Sequence, residues 1–143
     1  LRRPAEAEEI VADYRYLGLS LRRHPLALLR DGLRRAGIVS VRQAGRCSNG
    51  MRLRTAGLVV ARQRPGSAGG VVFVTLEDET GSLNVIVRDQ LVRRQRRELL
   101  GARLLAVSGK VQRQGEVLHL LAHRIGDLSH LLGKLQVASR DFH

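Results

Sequence analysis

Apolar positions recur every three or four residues early in the chain and every second residue after about residue 50. In residues 5–16, Ile10, Val11 and Tyr14 fall at helical spacing. Glu6, Glu8 and Glu9 precede or accompany them, which suits the positive end of a helix dipole. Gly18 interrupts the pattern. Pro25 then stands at the favoured first position of a second helix, with Leu26, Leu29 and Leu33 on one face and Arg30, Arg34 and Arg35 elsewhere. Gly37 stops that helix, and Ser40 caps a further turn before the Ser48-Asn49-Gly50 break.

Beyond the break the pattern predicts strands. Residues 51–64 form a long β-rich run with Gly57 in its middle, where a bulge or sharp bend is expected. A loop with three glycines over 65–70 leads to a strand over 71–77, with Val72, Val74 and Leu76 on one side and Phe73 and Thr75 on the other. The turn Glu79-Thr80-Gly81 leads into Leu83, Val85 and Val87, aligned on one face of a third strand. Residues 89–100 return to helical period through Leu91, Val92, Gln95 and Leu99. Strands over 102–113 and 117–125, joined at Gln114-Gly115-Glu116, and a short helix over 127–135 complete the series.

Three strands, a helix and two more strands make a mainly β fold with helices. The layout predicts a five-stranded OB-fold, a Greek-key barrel, preceded by an N-terminal helical segment. The division expected is a helical linker over 1–50, the OB-fold domain over 51–126, and a short C-terminal helix and tail over 127–143. A mixed sheet with one packed helix is the competing architecture.

Composition narrows the partners. At 143 residues the chain is about one domain long and large enough to bury a core without staples. Aromatics make up only 3%, so the core must be aliphatic. The 25 basic residues outnumber the 13 acidic ones for a formal net charge of +12, which points to a polyanion such as nucleic acid. All but two of those bases are arginine, so a GC-rich coding sequence is the alternative explanation. The single Cys47 cannot form an internal disulfide, and a reducing cytoplasm is the expected location. No apolar run reaches the ~18 residues of a membrane span, so no membrane partner is expected. The chain opens on Leu1 rather than Met, and a fragment of a longer protein is expected.

No catalytic, metal or cofactor site is expected. Gly109-Lys110 is followed by Val111, which does not match a phosphate-binding P-loop. Glu77, Asp78 and Glu79 crowd a hairpin turn and read as solvated turn residues rather than as metal ligands. His119 and His123 would share one face of a strand with no third ligand nearby in sequence. Nucleic-acid contacts are expected instead. If Val72, Val74 and Leu76 fill the barrel, Phe73 lies on the outer face, where an aromatic can stack on a base; packing against protein is the alternative. Arg52, Arg54, Arg62 and Arg64 alternate along the first strand and are expected to project outward near it. Lys110, Arg113 and His119 flank the last hairpin and complete the candidate set. The arginine pairs Arg93-Arg94 and Arg96-Arg97 read as a solvated helix face or a contact to another domain.

The stretch VVFVTLEDETGSLNVIV at 71–87 resembles the second and third OB strands of bacterial C-family DNA polymerases, the replicative alpha-subunit type. GLSLRRHPLALLR at 18–30 is similar to the segment before their OB domain, and the closing SRDFH at 139–143 to the end of the error-prone branch encoded in the imu mutagenesis cassettes. Arg88 stands where the family has an aromatic. The resemblance implies a non-catalytic OB module within a DNA-directed DNA polymerase acting in damage-induced translesion synthesis. That module would handle single-stranded DNA template, alongside the rest of the polymerase chain and accessory mutagenesis proteins. A protein-docking module using residues 5–36 and the C-terminal tail is the alternative. FVTLEDETG is also similar to the anticodon-binding OB domain of class II aminoacyl-tRNA synthetases, where the residue matching Phe73 stacks on a base. That domain is a further alternative.

Overall fold

The computed structural model describes residues 23–66 and 69–140; the helix expected over 5–16 and the last three residues lie outside the described residues. Chain order is α1 (Pro25–Arg35), α2 (Val41–Gly45), β1 (Arg52–Gln63), β2 (Val72–Asp78) and β3 (Gly81–Val87), followed by α3 (Asp89–Arg94), α4 (Arg96–Gly101), β4 (Leu104–Gln114), β5 (Val117–Asp127) and α5 (His130–Arg140). The five strands close into a barrel in the order β1-β2-β3-β5-β4, the OB-fold expected from the sequence. All pairs are antiparallel except β3 with β5.

Closure depends on the length of β1. Its residues 52–58 pair with β4 and residues 58–63 with β2. Gly57 lies at the changeover, where an added Cβ would stand 3.0 Å from both the amide nitrogen and the carbonyl oxygen of Glu77. The glycine therefore provides room for β2 to approach. The register shift does not fall at Gly57, as the sequence had led us to expect, but between Val59 and Ala61.

Two apolar clusters hold the molecule together. Inside the barrel, Val72, Val74 and Leu76 meet Leu83, Val85 and Val87, while Leu91, Val92 and Leu99 from α3 and α4 pack into the same cluster. Burying each such side chain contributes about 1.5–3 kcal/mol. The second cluster lies outside it. Ala56 and Leu58 of β1 and Leu104 of β4 are covered by Leu26 and Leu33 of α1 and Leu132 of α5. So the leucine stripe of α1 is spent on the barrel wall. Its start is fixed by Pro25 and by His24, whose Nδ1 accepts from the Leu26 amide at 3.1 Å, and Gly37 follows its last turn at φ +80°.

The helical stretch between β3 and β4 is two short helices, not one. They break at Gln95, whose side-chain amide donates to the Ile125 carbonyl at 2.7 Å and accepts from the Ile125 amide at 2.8 Å. This pairing ties the break to β5. The last helix starts at His130, later than its expected position, because Asp127 ends β5 and accepts from the amide and hydroxyl of Ser129.

Candidate nucleic-acid interface

Phe73 faces outward, as its neighbours require. Val72 and Val74 on either side are buried inside the barrel, while Phe73 is half-exposed between Gln63 of β1 and Ile86 of β3. The pairing continues laterally, from Ile86 to Leu121 of β5, from Leu121 to Lys110 of β4, and from Lys110 to Arg52 of β1. One register row thus joins Phe73 to two exposed cations round the outside of the barrel. A parallel row is polar: Thr75, Asn84, His119 and Gln112 follow one another across β2, β3, β5 and β4. The Thr75 hydroxyl donates to the Asn84 side-chain oxygen at 3.1 Å.

The arginines expected on β1 separate into two groups. Arg52 and Arg54 project from the outer surface beside β4, at the far end of the strand from Phe73. Arg54 also donates to the Ala36 carbonyl after α1. Arg62, though exposed, is tied to backbone: it donates through Nε to the Leu99 carbonyl at 2.7 Å and through Nη2 to the Ala102 carbonyl. It therefore ties down the C-terminal end of α4. The bulge explains this, because past Val60 it reverses the alternation and sets Arg62 opposite inward-facing Val74. Arg64 is exposed just past the strand. Arg113 is likewise occupied, donating to the carbonyls of Gly45 and Cys47. Of the eight candidate residues, the register brings Phe73, Lys110 and Arg52 into one row and His119 into the next; Arg54 lies beside them, Arg64 lies apart, and Arg62 and Arg113 hold the fold.

Arg124 escaped the sequence reading, and His123 was weighed there only as a metal ligand. Alternation from buried Leu120 through Ala122 would point Arg124 into the barrel. In the structure β5 bulges at His123, so that Gly109 pairs with Ala122 and Ser108 with Arg124. Both His123 and Arg124 are consequently exposed on the outer surface. His123 lines a cleft with Gly37, Arg52, Leu53, Arg54, Ser108 and Gly109. Arg124 lines an adjoining one with Arg54, Ser108 and the wall of Ile38 and Ala106. Neither cleft is lined by a carboxylate.

In the acidic turn Asp78 and Glu79 are structural rather than solvated, while the Glu77 side chain remains 45% exposed. Asp78 is 3% exposed and accepts from the guanidinium of Arg30 at 3.0 Å, the amides of Val41 and Thr80, and the Thr80 hydroxyl. Glu79 receives two hydrogen bonds of 2.8 Å from Arg30. Burial pushes the Glu79 carboxyl up, but the hydrogen bonds and charge of Arg30, with a backbone hydrogen bond, outweigh it and hold the group below its ordinary 4.5. Arg30 is raised in turn, the hydrogen bond to Glu79 being the largest cause. A helix residue 48 positions upstream of Asp78 supplies the partner, which local sequence could not reveal. Among the described residues no group of three or more His, Cys, Asp or Glu is placed to hold a metal ion.

The profile of the OB-fold nucleic acid binding domain matches residues 53–128. The chain belongs to that family. Over its full length this OB-fold chain is 58% identical to the error-prone DNA polymerase of Azoarcus sp. (strain BH72), and over 98% of it 55% identical to that of Dechloromonas aromatica (strain RCB). It spans only 13% and 14% of those relatives. It therefore corresponds to an OB-fold segment of the error-prone DNA polymerases. Among solved structures, asparaginyl-tRNA synthetase from Pyrococcus horikoshii superimposes with a TM-score of 0.53 at 19% identity, covering 64% of this chain and 23% of the synthetase. That likeness concerns the OB fold alone.

Proposed function

We propose that the chain is the single-stranded nucleic-acid-binding module of an error-prone DNA polymerase that acts in damage-induced translesion synthesis. The observation that carries this reading is the outer register row running from Phe73 through Ile86 and Leu121 to Lys110 and Arg52. It joins a stacking surface to cations, the two requirements for holding a strand without reading its sequence. The parent chain is a DNA-directed DNA polymerase, its catalytic groups lie elsewhere, and this segment works without a cofactor of its own. Template DNA and the rest of the polymerase are its partners, accessory mutagenesis proteins join them, and the setting is the cytoplasm. Among the described residues no helix is long and apolar enough to cross a membrane.

The docking alternative finds less support, because Leu26 and Leu33 of α1 are buried against β1 and β4 rather than free for a partner. The test is a titration of the chain with single-stranded DNA at two salt concentrations. Binding that weakens with salt is expected, with a slope of roughly −2 to −3 for three or four phosphate contacts. Phe73→Ala should weaken it by about 1–3 kcal/mol and leave that slope nearly unchanged. No binding at low salt would overturn the proposal and favour docking. Unfolding of the Phe73→Ala protein would assign Phe73 to packing.

A further inference from the structure

The outer surface of the barrel divides its chemistry between two regions. β2 and β3, which carry Phe73, contain no lysine or arginine. A strand lying there can be stacked and hydrogen-bonded, but its phosphates find no strand-borne cation. The cations stand on the other side, with Arg52 and Arg54 on β1, Lys110 on β4, and Arg124 beside His123 on β5. Two adjoining clefts open among them, sharing Arg54 and Ser108. The side chains of Arg52, Lys110 and Arg124 are exposed and make no hydrogen bond or ion pair among the described residues.

Resting on the function proposed above, we infer that these clefts are a phosphate-binding site for the part of a nucleic-acid strand that has left the Phe73 face. The chemistry fits a phosphodiester. Guanidinium forks match its paired oxygens, Ser108 supplies a neutral hydroxyl donor, and Gly37 lines the first cleft without a side chain. Lys110 is the link, because its row joins Phe73 to Arg52. From β2 through β3, β5 and β4 to β1 there are four strand spacings of ~4.8 Å, a path of about 19 Å. At ~3.4 Å per stacked nucleotide this requires roughly six nucleotides. The strand therefore crosses the barrel sideways, its bases over β2 and β3 and its phosphates in the clefts.

The test compares oligothymidylates of about four and about twelve nucleotides, within the size range of OB sites, on the full chain. Only the longer one reaches both regions, so its affinity should exceed that of the shorter by at least about tenfold through effective concentration. Arg52→Ala with Arg124→Ala should remove most of that gain and flatten the salt slope on the longer oligomer by roughly 1.4, two contacts at about 0.7 each. Arg94→Ala with Arg97→Ala, which removes the same charge from α3 and α4, should change neither. The inference is overturned if the wild-type chain binds and the cleft variant keeps both slope and length gain, or if the control variant flattens the slope equally. Absence of binding by the wild-type chain overturns the function proposed above, and this inference with it.

Discussion

β1 opens with Arg52-Leu53-Arg54, and ten residues later the same spacing returns across its end in Arg62-Gln63-Arg64. The barrel uses the two runs in opposite ways. Arg52 stands free in a cleft and Arg54, held by the Ala36 carbonyl, forms the wall between two clefts, whereas Arg62 is tied to the carbonyls of Leu99 and Ala102 at the end of α4. Between them lies one extra residue in the register, at Val60. An arginine's role on a strand thus depends on the register behind it, since a shift of one residue exchanges the faces of all that follow.

The comparison can be broken by removing arginines in turn. The largest effect is expected at the most deeply tied of them, Arg30 of α1. Arg30→Ala leaves buried Asp78 without its cation and should cost about 3–5 kcal/mol in denaturant unfolding, with nucleic-acid binding unchanged wherever the chain stays folded. A cost below about 1 kcal/mol would mean that the other donors to Asp78 suffice.

Next comes the contrast within β1. Arg62→Ala loses two charge-assisted hydrogen bonds and should destabilise by about 2–3 kcal/mol, whereas Arg52→Ala should stay within about 0.5 kcal/mol. Equal costs would erase the distinction. Binding should sort the same pair the other way. Lys110→Ala with Arg52→Ala should flatten the salt dependence by roughly 1.4, while Arg62→Ala should leave it alone in protein that remains folded.

The smallest effect is on pH dependence. Glu79 titrates below its ordinary value in the folded chain, so its contribution is complete above the unfolded-state value near 4.5 and is lost as pH falls through the lower folded value. Acid unfolding curves of the wild type should therefore show a loss in that window, which Glu79→Gln diminishes. Unchanged curves would show that the Arg30 pair contributes nothing there.

Much of the fold was legible because it rests on short-range patterns. Val72, Val74 and Leu76 alternate against Phe73 and Thr75, Pro25 and Gly37 bracket α1, and Gly115 turns the last hairpin at φ +65°. Gln95 was not legible as a helix break, because its partner is the backbone of Ile125, thirty residues on. The acidic turn was misread for the same reason: Asp78 looks solvated until α1 folds back and brings Arg30 to it.

The sequence by itself determined that five strands alternate around an aliphatic interior, that Phe73 points outward, and that arginine is in excess. Those facts follow from side-chain periodicity and composition, which act over a few residues. Only the tertiary structure decided which arginines are tied to backbone and which stand free. The bulge at Val60 ties Arg62 to the end of α4, and the one at His123 brings Arg124 out beside Arg54. A bulge exists only where two strands of unequal count must pair, so its place is set by the partner strand and by closure of the barrel.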